Sequence, residues 1–162
     1  MKIEYRKGNL FEGTETVIIH GCNAQGKFAS GFAGAVRERH PFAYDAYMET
    51  ARSSKLILGS IIWASEGNLS IANAITQEHY GRDGKQYVSY DAIRLAMETI
   101  NLAAQDGIPF SVNRNGFDRI AMPLIGASLG GGDWNVISEI IEKACTHVKP
   151  IVYHIEPLPT RN

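Results

Sequence analysis

Between Gly126 and Gly132 four of seven residues are glycine, within the run Ile125-Gly126-Ala127-Ser128-Leu129-Gly130-Gly131-Gly132-Asp133-Trp134. Just upstream, Arg119-Ile120-Ala121-Met122 reads as a short buried strand ending at Pro123. Just downstream, Asp133 has the chemistry of a helix N-cap, ahead of an apolar stripe at Ile137, Ile140, Ile141 and Ala144. A glycine loop that leads from a buried strand straight into a capped helix belongs to α/β architectures. The chain holds a second such unit. Thr16-Val17-Ile18-Ile19-His20 is apolar on both faces, like a central strand of a covered sheet. It passes through Gly21-Cys22-Asn23-Ala24-Gln25-Gly26-Lys27-Phe28-Ala29-Ser30 into a helix expected over 31–39, with Ser30 as its cap.

The remaining segments alternate in the same way. Ile3 to Arg6 predicts a short strand, and Pro41 opens a second helix through Met48 and Ala51. Ser60 to Ala64 and Leu69 to Ala74 flank Ser65-Glu66-Gly67-Asn68, the signature of a hairpin. Ser89 caps a helix whose buried face is Tyr90, Ile93, Met97 and Ile100, and Gly107 stops it. Pro150 precedes a last strand, Ile151 to Ile155, and Asn113-Arg114-Asn115-Gly116 reads as an exposed turn. The pattern predicts an α/β fold, a three-layer α/β/α sandwich around a mixed central sheet. With no repeat or linker in sight, residues 1–156 are expected to form one domain and 157–162 a loose tail.

Composition narrows the function. Sixteen basic and 17 acidic residues leave a formal charge of −1, which argues against direct nucleic-acid binding or a membrane-surface role. No apolar run is long enough to span a bilayer, and Met1-Lys2-Ile3-Glu4 does not read as a signal peptide. Two cysteines, Cys22 and Cys145, without a C-x-x-C pair point to a reducing, cytoplasmic setting and no zinc ribbon. His79, His147 and His154 show no metal-ligand spacing, so neither metal nor cofactor is expected.

Two glycine loops at strand ends, each opening onto a helix N-terminus, suit a diphosphate clamped between them. Neither is a Walker A loop or a G-x-G-x-x-G fingerprint, and a tight structural turn explains either one taken singly. Two residues could move a proton near neutral pH. His20 ends a buried strand beneath the first loop, with a satisfied core histidine as the competing reading. Asp133 borders the second loop, with simple helix capping as its competitor. Tyr80 is placed either to stack on a base or to pack its own loop.

The same residues carry a family resemblance. His20-Gly21-Cys22-Asn23, Gly31-Phe32-Ala33-Gly34-Ala35, Asn73-Ala74-Ile75-Thr76-Gln77 with Tyr80-Gly81, and Met122 through Trp134 together resemble a macro domain, the ADP-ribose-binding module. The resemblance runs over nearly the whole chain in the right order. It is nearest to the branch holding ADP-ribose 1''-phosphate phosphatases and the small ADP-ribosyl deacylases. It implies that Asn23 bonds the distal ribose, and that Gly126, Ser128, Gly130, Gly131 and Gly132 wrap the diphosphate. Ser30 and Gly31 then offer amides from the opposite side. Where most members have Gly-Asp for the adenine amino group, this chain has Gly8-Asn9, whose amide oxygen can accept without charge assistance. Where the amino-acid-specific deacylases carry a lysine and an aspartate, it has Gln77 and Gly130, so a lysine mechanism does not transfer.

The resemblance therefore implies binding of ADP-ribose and hydrolysis of the phosphate of ADP-ribose 1''-phosphate. Its alternatives are a reader that binds without turnover, and a deacylase that removes ADP-ribose from modified proteins. Expected partners are ADP-ribose or a derivative, with an ADP-ribosylated protein as a further one.

Overall fold

The computed structural model describes residues 1–28 and 31–158. Along it run β1 (Glu4–Lys7), β2 (Val17–Asn23), α1 (Gly31–Arg39), α2 (Pro41–Ser53) and β3 (Ile61–Glu66). Then come β4 (Leu69–Gln77), α3 (Tyr90–Asp106), β5 (Arg119–Met122), α4 (Trp134–Ala144) and β6 (Lys149–His154). A 3₁₀ turn at Leu10–Glu12 follows β1 and was not signalled by any periodicity. The strands form one sheet in the order β1-β6-β5-β2-β4-β3. Every neighbouring pair is parallel except the β3–β4 hairpin, so the sheet is mixed, as the alternation of elements predicts.

Both faces of the sheet are covered. Val17 and Ile19 of β2 join Ala72, Ala74, Ile120, Met122 and Val152 beneath α3 and α4. Ile18 and Cys22 join Ile71, Ile75 and Ala121 beneath α1 and α2. This two-sided burial is why β2 and β4 read as unbroken apolar runs rather than alternating ones. α3 buries Ala92, Ile93, Ala96, Met97, Ile100 and Ala104 on one stripe, and the Ser89 hydroxyl accepts from the Ala92 amide at 3.1 Å to cap it. Trp134 anchors α4 by donating its indole N–H to the Tyr5 hydroxyl at 3.0 Å.

Two expectations change. β2 and β4 each continue beyond the predicted ends, because Gly21 and Cys22 pair with Ala74 and Ile75, and Asn23 with Gln77. Neighbour pairing overrides the local break that Gly21 suggests, and it carries Asn23 and Gln77 to the same sheet edge. The turn 113–116 exposes Arg114 and Asn115 as expected, but its first residue, Asn113, is buried. Asn113 is 6% accessible, accepts from the Thr16 hydroxyl at 2.8 Å and donates to the Ser70 hydroxyl at 3.1 Å. Buried polar groups at the starts of β2 and β4 need partners, and this side chain supplies them.

The crossovers place the ligand edge. After β2 the chain crosses over one face through α1 and α2, whereas after the adjacent β5 it crosses the other face through α4. Connections leaving neighbouring parallel strands toward opposite faces open a crevice at their carboxyl ends. Both glycine loops start there.

Candidate functional site

The second loop, 123–133, folds back on itself. The Gly132 amide donates to the Gly126 carbonyl at 2.8 Å, and the Gly131 amide to the Ser128 carbonyl at 3.1 Å. The Gly130 carbonyl accepts from the amides of Tyr87 at 2.7 Å and Val88 at 3.0 Å, so the loop docks on the segment 85–88 that follows β4. The amides of Gly126, Ser128, Leu129 and Gly130 donate to no other described residue. Four N–H groups within five residues that donate to no described residue are a donor set of the kind that holds phosphate oxygens.

The glycines themselves serve the protein. A Cβ on Gly126 would lie 2.9 Å from Val88, one on Gly132 would lie 2.6 Å from Val88, and one on Gly130 would meet the Gly126 carbonyl at 2.8 Å. At Gly131, with φ +69°, it would collide with the Lys85 carbonyl. At Gly131 the missing side chain thus makes room for the 85–88 backbone.

The first loop is shaped by Asn23. Its Oδ1 accepts from the amides of Gln25 at 3.0 Å and Lys27 at 3.3 Å, while Nδ2 donates to the Lys27 carbonyl at 2.8 Å. This is a loop asparagine bonding its own backbone, and one Nδ2 hydrogen is left for a ligand hydroxyl. The Tyr47 hydroxyl, from α2, donates to the Asn23 carbonyl at 2.7 Å. Gly31 opens α1 at φ +58°, and a Cβ there would lie 3.2 Å from Leu129 Cδ1. The two loops thus meet across the crevice, with Leu129 as the bridge. Ser30 lies outside the described residues. Two surface hollows, of about 520 and 270 Å³, lie along α2 and beneath the 3₁₀ turn, and neither is lined by these loops.

The other candidates separate. Asn9 caps the 3₁₀ turn, its Oδ1 accepting from the Phe11 amide at 3.0 Å, so the oxygen intended for adenine is already engaged. Tyr80 is half exposed on the loop 78–88, which Gln25 ties to the first loop by donating to the Glu78 carbonyl at 3.0 Å. Asp133 caps α4 through Oδ1, which accepts from the Asn135 amide at 2.9 Å. Its other carboxylate oxygen accepts from no described residue, and the residue is exposed.

His20 is corrected as a proton acceptor facing the ligand. Its ring is fully buried against Phe28 and Phe32, with Nε2 2.6 Å from Asn73 Oδ1. Asn73 donates its own amide to the Ala43 carbonyl at 3.1 Å, which fixes Oδ1 as the acceptor and places the histidine proton on Nε2. Burial pulls the imidazole down to about 4, so it stays neutral and inside the core at neutral pH. Burial also pushes the neighbouring Cys22 thiol well up, which makes it a packing residue.

Three participants escaped the sequence reading. Leu129 bridges the loops, Tyr47 holds Asn23, and segment 85–88 supports the second loop. Tyr47 had a usable signal: it stands four residues after Ala43 on the buried stripe of α2, where a buried tyrosine needs a partner for its hydroxyl. Leu129 and 85–88 act through backbone and long-range contact, which no local pattern encodes.

No model of a known protein family matches the chain. Over 140 residues it is 27% identical to an ADP-ribose 1''-phosphate phosphatase of Candida albicans, a match covering 82% of this chain and 86% of that protein. Among solved structures, a Bacteroides thetaiotaomicron protein of unknown function superposes with a TM-score of 0.81 at 26% identity, over 94% of this chain and 98% of that one. A macrodomain protein from Streptomyces coelicolor superposes with a TM-score of 0.74 at 25% identity, over 94% of this chain and 99% of that one.

Proposed function

From its membership of the macro domain family, we propose that the chain binds ADP-ribose at the crevice between β2 and β5 and hydrolyses the phosphate of ADP-ribose 1''-phosphate. The observation that carries this reading is the group of amides at Gly126, Ser128, Leu129 and Gly130 that donate to no described residue, beside the N-terminus of α1 at Gly31. The diphosphate lies between that donor surface and the helix N-terminus, both of which favour anions. Asn23 presents its remaining Nδ2 hydrogen to the distal ribose. Asn9 offers its amide hydrogens on the adenine side, and Tyr80 flanks the crevice.

In the reaction, a water attacks phosphorus in line and the bond from phosphorus to the 1''-oxygen breaks. The departing oxygen takes a proton to become the ribose hydroxyl, and inorganic phosphate leaves. Loop amides stabilise the charge on the non-bridging oxygens, and Asp133 accepts the proton of the attacking water through its free carboxylate oxygen. Asp133→Asn keeps the cap while removing the charge. It is expected to slow phosphate release by about 10²-fold or more with little change in ADP-ribose affinity, the scale of a lost general base. A variant that releases phosphate at the wild-type rate would restrict Asp133 to capping.

A reader without turnover is the second reading, and the burial of His20 favours it. With that ring in the core and Gln77 at the deacylase lysine position, the exposed carboxylate bordering the second loop is that of Asp133. Calorimetry with ADP-ribose, followed by a phosphate-release assay on ADP-ribose 1''-phosphate, separates the two. Saturable binding without phosphate release leaves the reader.

A further inference from the structure

The two edges of the sheet are protected very differently. β1 reads Glu4-Tyr5-Arg6-Lys7, with three of its four residues charged. β3, the opposite edge, reads Ile61-Ile62-Trp63-Ala64-Ser65-Glu66 and carries no charge before its last residue. Edge strands escape pairing with other chains through charges, prolines, bulges or a covering element. β3 has no proline or lysine, and its register with β4 is continuous from Ile61–Ala74 to Glu66–Leu69, so no bulge bends it away.

Apolar side chains stand in solvent beside that edge. Ile57, 62% exposed, and Leu58 lie in the loop that enters β3. Leu95 and Leu102, 59% exposed, lie seven residues apart and therefore on one face of α3, with exposed Glu98 and Thr99 on the turn between them. A Cβ on Gly59 would lie 2.8 Å from Leu95, so this face of α3 adjoins the start of β3. Ile61 and Trp63 pack half-buried on the same side of the sheet. Scattered exposed leucines need no explanation, but an apolar band along an unprotected strand edge does.

We propose that this edge is the interface for a second copy of the chain, with β3 pairing antiparallel to the β3 of its partner about a two-fold axis perpendicular to the sheet. Antiparallel pairing is self-complementary under such an axis, since each strand supplies the donors that the other's acceptors lack. Charge placement agrees. The pairing carries the two Glu66 carboxylates to opposite ends of the junction, each toward the partner's loop 54–60 and its exposed Lys55. A perpendicular axis leaves both α3 helices on one face, so the Leu95–Leu102 stripes flank the joined strands and are covered together. The two six-stranded sheets become one continuous sheet, and both ligand crevices stay open.

The test is sedimentation velocity on the purified chain across the micromolar range. The expected species has twice the 17.8 kDa mass of the chain. Trp63→Lys puts like charges near the axis, and Leu102→Glu does so on an exposed helix position where folding is not at risk. Each is expected to weaken association at least about tenfold, the scale of juxtaposed like charges at an interface. Lys7→Ala on the opposite edge is expected to leave it unchanged. A wild type that sediments as a monomer throughout, or a dimer that persists in Leu102→Glu with unchanged affinity, overturns the proposal.

Discussion

Gly131→Val is expected to cost about 2–6 kcal/mol of folding stability, combining backbone strain with forced overpacking. Gly131 sits at φ +69°, a conformation that a β-branched residue adopts only under strain. A side chain there also runs into the Lys85 carbonyl, and backbone cannot swing aside as a flexible side chain can. ADP-ribose affinity is expected to fall with it, at least about tenfold, because displacing 85–88 frees the Gly130 carbonyl and scatters the loop amides. Urea unfolding and calorimetry measure the two effects. Gly131→Ala is expected to retain most of the stability loss, since the collision begins at Cβ. A valine variant as stable as the wild type would show that segment 85–88 does not dock on Gly131.

Acidification is expected to destabilise the fold through His20. Its imidazole ordinarily titrates at 6.5, and burial lowers this to about 4 in the folded chain. Between those values the unfolded chain binds the proton and the folded one does not, so stability falls as pH falls. The contribution is fully present above pH 6.5 and is lost by pH 4, in total about 3 kcal/mol. The cause is local: Nε2 already donates to Asn73, and among the described residues a proton on Nδ1 would find only the Cys22 sulfur, 4.0 Å away. Carboxylates titrate in the lower part of the same range, so the informative quantity is the difference from His20→Gln. That variant can still donate to Asn73 but does not titrate, and its stability is expected to vary less with pH between 6.5 and 4. Identical pH profiles for the two proteins would place His20 in contact with solvent.

The sequence makes most of this fold legible because its punctuation is strong. Ser89, Gly107, Pro41 and Asp133 bound three of the helices within a residue of where they lie, since capping and proline effects act over one turn. The ends of β2 and β4 were misjudged by three residues because strand length is set by the neighbour, and Gly21 looks like a stop until Ala74 lies beside it. The 3₁₀ turn at Leu10 was missed because one turn has no periodicity to read.

At the site, the two loops and the edge they share follow from order and glycine content. Individual roles do not. Asn113 reads as a turn residue, yet its amide closes a buried polar network with Thr16 and Ser70 from distant segments. His20 ends a buried strand by sequence, which leaves both a ligand-facing and a core reading open, and the pleat turns its ring under α1 toward Phe28 and Phe32. The glycines of the second loop suggest room for a ligand, whereas their contacts show room for the protein, with the ligand offered backbone amides instead. Such distinctions depend on which way a side chain points, and composition is silent about that.

The central claim is that ADP-ribose is held by the amides of the second loop. It is tested most directly by recording amide nitrogen–proton correlation spectra while titrating ADP-ribose. The account predicts large saturable shifts at Gly126, Ser128, Leu129 and Gly130, with Gly31 and Asn23 following at the same affinity. Saturable binding whose shifts leave those four amides in place, or no binding at all, would contradict it.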